Sequence, residues 1–366
     1  MALHRRHWLL TASALAWHAQ AAEPGIVLGA SAALSGPARL LGQRYHVGSE
    51  AALRAANLSG GIHGRAVQLL RLDDAYEADR AVANTEALVQ NPQVVGLLGY
   101  IGTPTSMAAL PVVKRHGMAF VGPFTGADAL WERSTPQVFN VRASYRDEAK
   151  TLAQAMRVDG CKTLGVLYQA DLFGRAGLEA MREALQAQPG PRLSALATVK
   201  RNTVEVAAAV ELLVRAEPLD ALFMVSTYGS CAAFIQAARA AGFAGRFYTL
   251  SFVGLEPLRD ALGGAMHGVS VSQVVPDPDD ARLPVAAAYQ AALRAHGDGG
   301  ADSISFEGFL STQVMLTALK RATRPLDRRA LLQALEGLGM LDLAGFTVDY
   351  RPGRRRGSSL VRVVRA

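Results

Sequence analysis

Short apolar runs alternate with amphipathic stretches along most of this chain. Ile26 to Ala30 reads as a first strand, Ser31 to Pro37 as a loop, and helical periodicity runs from about Gly42 to Asn57. Ala66 to Leu72 predicts a second strand, which ends in Asp73-Asp74 and leads to a helix from about Glu77 to Val89. The stretch from Gly96 to Gly126 then packs a strand end, a turn, a helix and another strand into one piece. Val94 to Leu98 is apolar throughout, Gly102-Thr103-Pro104-Thr105-Ser106 opens a helix that stops at His116-Gly117, and Met118 to Val121 is the next strand. Strands alternating with helices in this way are the signature of a parallel sheet covered on both faces.

The alternation weakens after Leu130 and restarts after a short extended run, Phe139-Asn140-Val141-Arg142. Helices are expected at Tyr145 to Val158, Phe173 to Ala187, Val204 to Arg215 and Ser230 to Ala241. Between them lie strands at Thr163 to Tyr168, Leu193 to Val199, Ala221 to Val225 and Arg246 to Leu250. Val269 to Val275 ends in the rigid break Pro276-Asp277-Pro278. Three helical patterns follow without strands between them, Asp280 to Ala295, Ser303 to Arg321 and Asp327 to Leu338. Phe346 to Tyr350 and Leu360 to Arg365 read as a closing hairpin. The fold class is therefore α/β, two doubly wound parallel-sheet lobes joined by a three-strand hinge, with crossings near Val141, Gln273 and Gly345. Residues 22–141 with 274–345 form one expected lobe, and 142–273 with 346–366 the other. A cleft between lobes so joined suits hinge closure over a small molecule.

In open α/β sheets, ligands sit at the carboxyl ends of the strands. Two such ends here are rich in Gly, Thr and Ser. Free N–H groups at a helix N-terminus hold anions well, so Thr103, Thr105 and Ser106 with Thr125 are candidates for a carboxylate cradle. The competing reading is ordinary N-capping, for which Thr and Ser are also preferred.

Composition narrows the class. The chain has 366 residues, half of them hydrophobic and 19% charged, enough to bury two cores. Its beginning reads as an export signal: a basic His4-Arg5-Arg6-His7, an apolar Trp8 to Trp17 too short to span a bilayer, and an A-x-A cleavage site at Ala19-Gln20-Ala21. Arg5-Arg6 leaves both the general and the twin-arginine export routes open, and no cysteine stands at the cleavage point to carry a lipid. Later apolar stretches are too short for a membrane span, so a soluble periplasmic protein is expected.

The formal charge of +7 owes much to Arg351-Pro352-Gly353-Arg354-Arg355-Arg356-Gly357. Without an interleaved aromatic or helix-turn-helix pattern this run reads as a solvated turn, not a nucleic-acid site. The two cysteines, Cys161 and Cys231, read as buried free thiols, although export permits a disulfide. No hydrolase elbow, zinc-protease pair, nucleotide loop or metal-ligand histidine spacing occurs, so neither an enzyme nor a cofactor is expected.

Leu34-Ser35-Gly36-Pro37, Gly60-Gly61-Ile62-His63-Gly64, Asp73-Asp74, Tyr168 to Gly174 and Ala237 to Gly242 stand in order along the chain. Together they resemble the leucine/isoleucine/valine-binding type of extracytoplasmic solute-binding protein that serves ABC importers, over essentially the whole mature chain. The resemblance implies a monomer that binds a small carboxylate between its lobes and delivers it to a permease in the inner membrane. A ligand-sensing receptor domain shares this fold; the lack of a transmembrane helix or output domain in the sequence argues against it.

By that resemblance, Thr103 grips the carboxylate; Ser35, Thr105 and Ser106 are further candidate ligand residues. The segment Pro123-Phe124-Thr125-Gly126 supplies a carbonyl and a further hydroxyl, which an ungapped match sets at Gly126 instead of Thr125. Phe173 and Tyr228, or Thr227 after a slip of one, fall on aromatic cleft-lining positions, and Phe306 on an aromatic position near the cleft. Two departures stand out. Leu41 replaces a common aromatic. Ser251, followed by Phe252, stands where amino-acid binders carry the acid that pairs with the ligand's ammonium, leaving Glu307 to compensate from the other lobe. Burying an ammonium without a counter-charge costs several kcal/mol, so the ligand expected is an aromatic or branched carboxylate lacking that group, or an amino acid whose ammonium Glu307 takes.

Overall fold

The computed structural model describes residues 24–132, 134–216, 218–298, 300–352 and 357–365. The export signal and Arg354 to Arg356 lie outside these residues.

The first lobe begins with strand β1 (Ile26–Ala32), helix α1 (Arg39–Leu58), strand β2 (Val67–Asp73) and helix α2 (Ala78–Gln90). Strand β3 (Val94–Leu98), helix α3 (Thr103–Arg115) and the short strands β4 (Phe120–Val121) and β5 (Val138–Phe139) complete a parallel sheet in the order β2-β1-β3-β4-β5. Every residue of β3 is buried, as a central strand covered on both faces requires.

The second lobe comprises helix α4 (Tyr145–Val158), strand β6 (Thr163–Gln169), helix α5 (Leu172–Ala187), strand β7 (Arg192–Val199) and helix α6 (Ala207–Val210). Strand β8 (Ala221–Val225), helix α7 (Tyr228–Ala240), strand β9 (Arg246–Thr249), helix α8 (Leu255–Ala261) and strand β10 (Val269–Gln273) follow. Helices α9 (Pro284–His296), α10 (Ser303–Arg321) and α11 (Arg328–Glu336) return to the first lobe, where strands β11 (Met340–Asp342) and β12 (Thr347–Asp349) pair. Strand β13 (Arg362–Arg365) closes the second sheet, ordered β13-β10-β9-β8-β6-β7, and is antiparallel to β10.

Three expectations are corrected here. The two tail strands do not pair with each other as a hairpin, because β12 pairs with β11 and β13 with β10; an isolated antiparallel bridge between Asp349 and Gly357 spans the basic turn. Phe346, Val348 and Tyr350 are buried in the first lobe's core, so residues from 346 do not all join the second lobe. The third crossing therefore falls after Tyr350, where Ser358 N–H donates to Val141 (2.8 Å) and Tyr350 Oη–H to Asn140 (2.9 Å) beside the first crossing. The expected Val204 to Arg215 helix begins only at Ala207 and widens into a π-turn at Glu211–Arg215. Helix α8 was not anticipated, since seven residues are too few to display a period. Cys161 and Cys231 are both free and buried, as read from the sequence.

Helices α1 and α10 cross at contact of their backbones. A Cβ placed on Gly48 would lie 1.7 Å from the Ser305 carbonyl oxygen, and one on Gly308 would lie 1.9 Å from that of Tyr45. This crossing fixes Tyr45 and Glu307 beneath the interlobe seam.

Candidate functional site

The Asp73-Asp74 pair is a scaffold. Asp73 accepts from the backbones of Leu34, Ser35 and Ala75 and from Ser35 Oγ (2.6 Å); Asp74 accepts from Ser31 Oγ (2.7 Å) and Tyr76 N (2.8 Å). These bonds hold Ala75 and Tyr76 at φ of 50° and 65°, a region that side-chain-bearing residues seldom occupy. Tyr76 is thereby laid on Gly102, where a Cβ would meet its ring at 2.2 Å. Ser35 itself is exposed and spent on Asp73, so the structure does not bring it into the cleft.

Helix α3 starts at Gly102 with no side-chain cap, which removes the ordinary capping reading. Thr105 is corrected as a ligand group: its hydroxyl donates back to the carbonyls of Ile101 and Gly102. Ser106 is buried with its Oγ unpartnered. Thr103 Oγ1 and Thr125 Oγ1 are 2.7 Å apart, and Thr125 donates to Tyr145 Oη (3.1 Å), which comes from the second lobe. Gly126 supplies no hydroxyl; its Cα lies under Tyr145, where a Cβ would meet the ring at 2.5 Å. Thr125 carries the hydroxyl, one residue from the ungapped match.

Aromatic rings fill the middle of the seam. Phe252, from the second lobe, has its centroid 4.5 Å from Phe173, 5.4 Å from Phe124 and 6.0 Å from Tyr76. Tyr145 lies 5.6 Å from Phe173, and Tyr45 lies 5.5 Å from Phe124. Tyr228 starts α7 and stands against the backbone of Leu40, its hydroxyl lacking a well-placed partner. Phe306 is not a cleft residue: it stacks on Tyr289 at 4.6 Å inside the first lobe's core. At the rim, Arg201 and Asn202 of the second lobe bond Glu77 of the first at 2.6 and 2.8 Å. The lobes are shut.

The residue that the sequence reading missed is Arg142. It is fully buried, its Cζ 4.8 Å from the centre of the Phe124 ring, and its Nη2 donates to Ser251 Oγ. Glu307 Oε1 lies 3.6 Å from its Nε and Glu148 Oε1 lies 3.8 Å from Nη2. Glu148 Oε2 accepts from Ser251 N (2.8 Å) and Ser272 Oγ (2.6 Å). Arg142 Nε and Nη1 make no hydrogen bond. A lone arginine in the mostly apolar segment that follows β5 was the available signal, but local pattern gives it no partner. Glu307 thus faces a cation that the protein itself supplies.

Burial pushes the Glu307 carboxyl up to about 7, with Arg142 pulling it down and Glu148 pushing it further up. The unfolded value is about 4.3, so the folded state holds this proton more tightly. Its contribution is fully present below the unfolded pKa and is lost as pH rises through about 7. Lowering pH from 8 to 6.5 is expected to stabilise the protein by about 1 kcal/mol through Glu307. From the lower end of that window downward His46, pushed down to about 3 by burial from an ordinary value near 6.5, opposes the gain, while Asp74, pushed up to about 6 by burial, adds to it. Urea midpoints at pH 8 and 6.5 should converge in Glu307→Gln; an unchanged difference would assign the effect elsewhere.

Two parallel-sheet lobes shut on a buried seam of hydroxyls, rings and one guanidinium define a two-lobed solute-binding protein. The chain belongs to the periplasmic binding protein family, whose model matches residues 25–366, and is of its branched-chain amino acid type. A possible leucine/isoleucine/valine-binding protein from Rhodopirellula baltica SH 1 is 31% identical with a TM-score of 0.89, covering 93% of this chain and 94% of that one. A substrate-binding periplasmic protein from Ralstonia solanacearum is 30% identical with a TM-score of 0.86, covering 92% and 96%. Leu/Ile/Val-binding protein homolog 7 of Brucella abortus is 24% identical over 353 residues, 90% of this chain and 85% of its own. Each of these relatives is named as a binding protein. Among the described residues no acidic, histidine or cysteine group could hold a metal, and no helix is long and apolar enough to cross a membrane.

Proposed function

We propose that this chain is the substrate-binding component of an ABC importer, an exported periplasmic monomer cleaved near Ala21 that closes on a small carboxylate and hands it to an inner-membrane permease. The observation that carries this reading is the Thr103–Thr125 hydroxyl pair, 2.7 Å apart, at an uncapped helix N-terminus inside the closed seam. Hydroxyls together with free N–H groups at the positive end of a helix match a carboxylate. Ser106 supports the cradle, Phe124, Phe173, Tyr228 and Phe252 line it, and Ser251 and Glu307 border it. The aromatic walls favour a ring or a branched chain, whose burial contributes about 25 cal/mol per Å². Ser251, in place of an acid, favours a ligand without an α-ammonium.

A thermal-shift screen of amino acids, 2-oxo acids, aromatic carboxylates and short amides tests the ligand class. A carboxylate at a hundredfold its Kd should add about 2.7 kcal/mol of stability; stabilisation by amides alone would favour a sensing domain. The second expectation is mechanical. Removing the ligand should open the hinge and enlarge the radius of gyration measured by small-angle scattering, and an unchanged radius would exclude hinge closure.

A further inference from the structure

We propose that Arg142 takes the place of the ligand's ammonium, so that the cleft selects carboxylates with an oxygen at C2, 2-oxo or 2-hydroxy acids, over α-amino acids. The inference rests on the carboxylate-binding function proposed above and adds the chemistry of the neighbouring carbon.

Arg142 and the carboxylate anchor flank one turn. Phe124 lies under the guanidinium at 4.8 Å, and the next residue, Thr125, bonds Thr103. In an α-amino acid the nitrogen is two bonds from the carboxylate carbon, and we place the C2 substituent of a ligand anchored at Thr103 and Thr125 on the Arg142 side of this turn. Arg142 already stands between Glu148 and Glu307 and bonds Ser251. Glu148 pairs with Arg142 and accepts from Ser251 N and Ser272 Oγ, burial holds Glu307 largely protonated below pH 7, and an ammonium beside Arg142 would then meet like charge in a buried site. Arg142 is also 1% exposed, its Nη1 without a hydrogen bond and its Nε facing Glu307 Oε1 at 3.6 Å without one. Buried donors of this kind are rarely left unused, and an arginine has no acceptor to offer an ammonium. A carbonyl or hydroxyl oxygen at C2 would satisfy one of these donors.

The test compares ligands that differ only at C2. One set is 4-methyl-2-oxopentanoate, leucine and 4-methylpentanoate; the other is phenylpyruvate, phenylalanine and 3-phenylpropanoate. Titration calorimetry on the wild-type chain should rank the 2-oxo acid at least tenfold tighter than the plain acid, with the amino acid weakest. Arg142→Ala should erase the 2-oxo preference and move the amino-acid to 2-oxo-acid affinity ratio at least tenfold toward the amino acid, because Glu148 and Glu307 are then free to pair an ammonium. Arg142→Lys retains the charge and should still exclude the amino acid, which keeps the test open if the alanine variant does not fold. If the wild type binds the amino acid as tightly as the 2-oxo acid, the role of Arg142 is overturned while carboxylate binding stands. If it binds none of the six compounds, carboxylate binding itself fails and this inference falls with it.

Discussion

Gly48→Ala and Gly308→Ala are each expected to destabilise the protein by about 2 kcal/mol, although alanine is the better helix former. In a free helix the exchange would gain about 1 kcal/mol. Here the new methyl would sit 1.7 Å from the Ser305 carbonyl oxygen in one case and 1.9 Å from that of Tyr45 in the other. Backbone cannot rotate away as a side chain can, so α1 and α10 must separate, and overpacking of this kind costs about 1–3 kcal/mol or more. The separation also shifts Tyr45, whose hydroxyl bonds Gly122 at 2.7 Å, and Glu307, the neighbour of Gly308. Ligand affinity should therefore fall with stability. Gly229→Ala is the control: this α7 glycine has open space at its Cβ and should gain stability slightly. Denaturant unfolding of the three variants decides it; a loss at Gly229 equal to that at Gly48 would remove the helix crossing as the cause.

Thr103→Ala is expected to weaken carboxylate binding ten- to a hundredfold. A hydrogen bond to a charged group contributes about 1.5–3 kcal/mol, and each 1.4 kcal/mol is about a factor of ten in affinity. The substitution also leaves Thr125 with one partner fewer, because the two hydroxyls are 2.7 Å apart and buried. Stability should consequently fall by about 1 kcal/mol. Thr105→Ala separates the two effects: its hydroxyl serves only the carbonyls at the start of α3, so affinity should hold while stability drops. Equal affinity in Thr103→Ala and the wild type, measured by calorimetry, would take Thr103 out of the site.

The sequence by itself determined the two-lobed α/β architecture, the strand ends at which the candidate site lies, and the aromatic character of Phe124, Phe173 and Phe252. Hydrophobic periodicity and turn chemistry are local properties, carried by residues a few positions apart, and they located strands such as Val94–Leu98 and helices such as Tyr145–Val158 without help from the rest of the chain. Pairing is not local. The partner of β12 depended on which side of the hinge the tail crossed, and the tail strands have too few residues to specify it. Side-chain roles followed the same division. Ser35 and Thr105 look like ligand hydroxyls in a line of text, yet Asp73 takes one and the start of α3 the other, each through a bond that only folded coordinates define. Arg142 is the converse case. Its apolar neighbours along the chain mark it as out of place but name no partner, because its partners lie 6, 109 and 165 positions away at Glu148, Ser251 and Glu307. Only the tertiary structure could set a guanidinium where an ammonium was expected, since the charge balance of a buried site is the sum over every group folded into it.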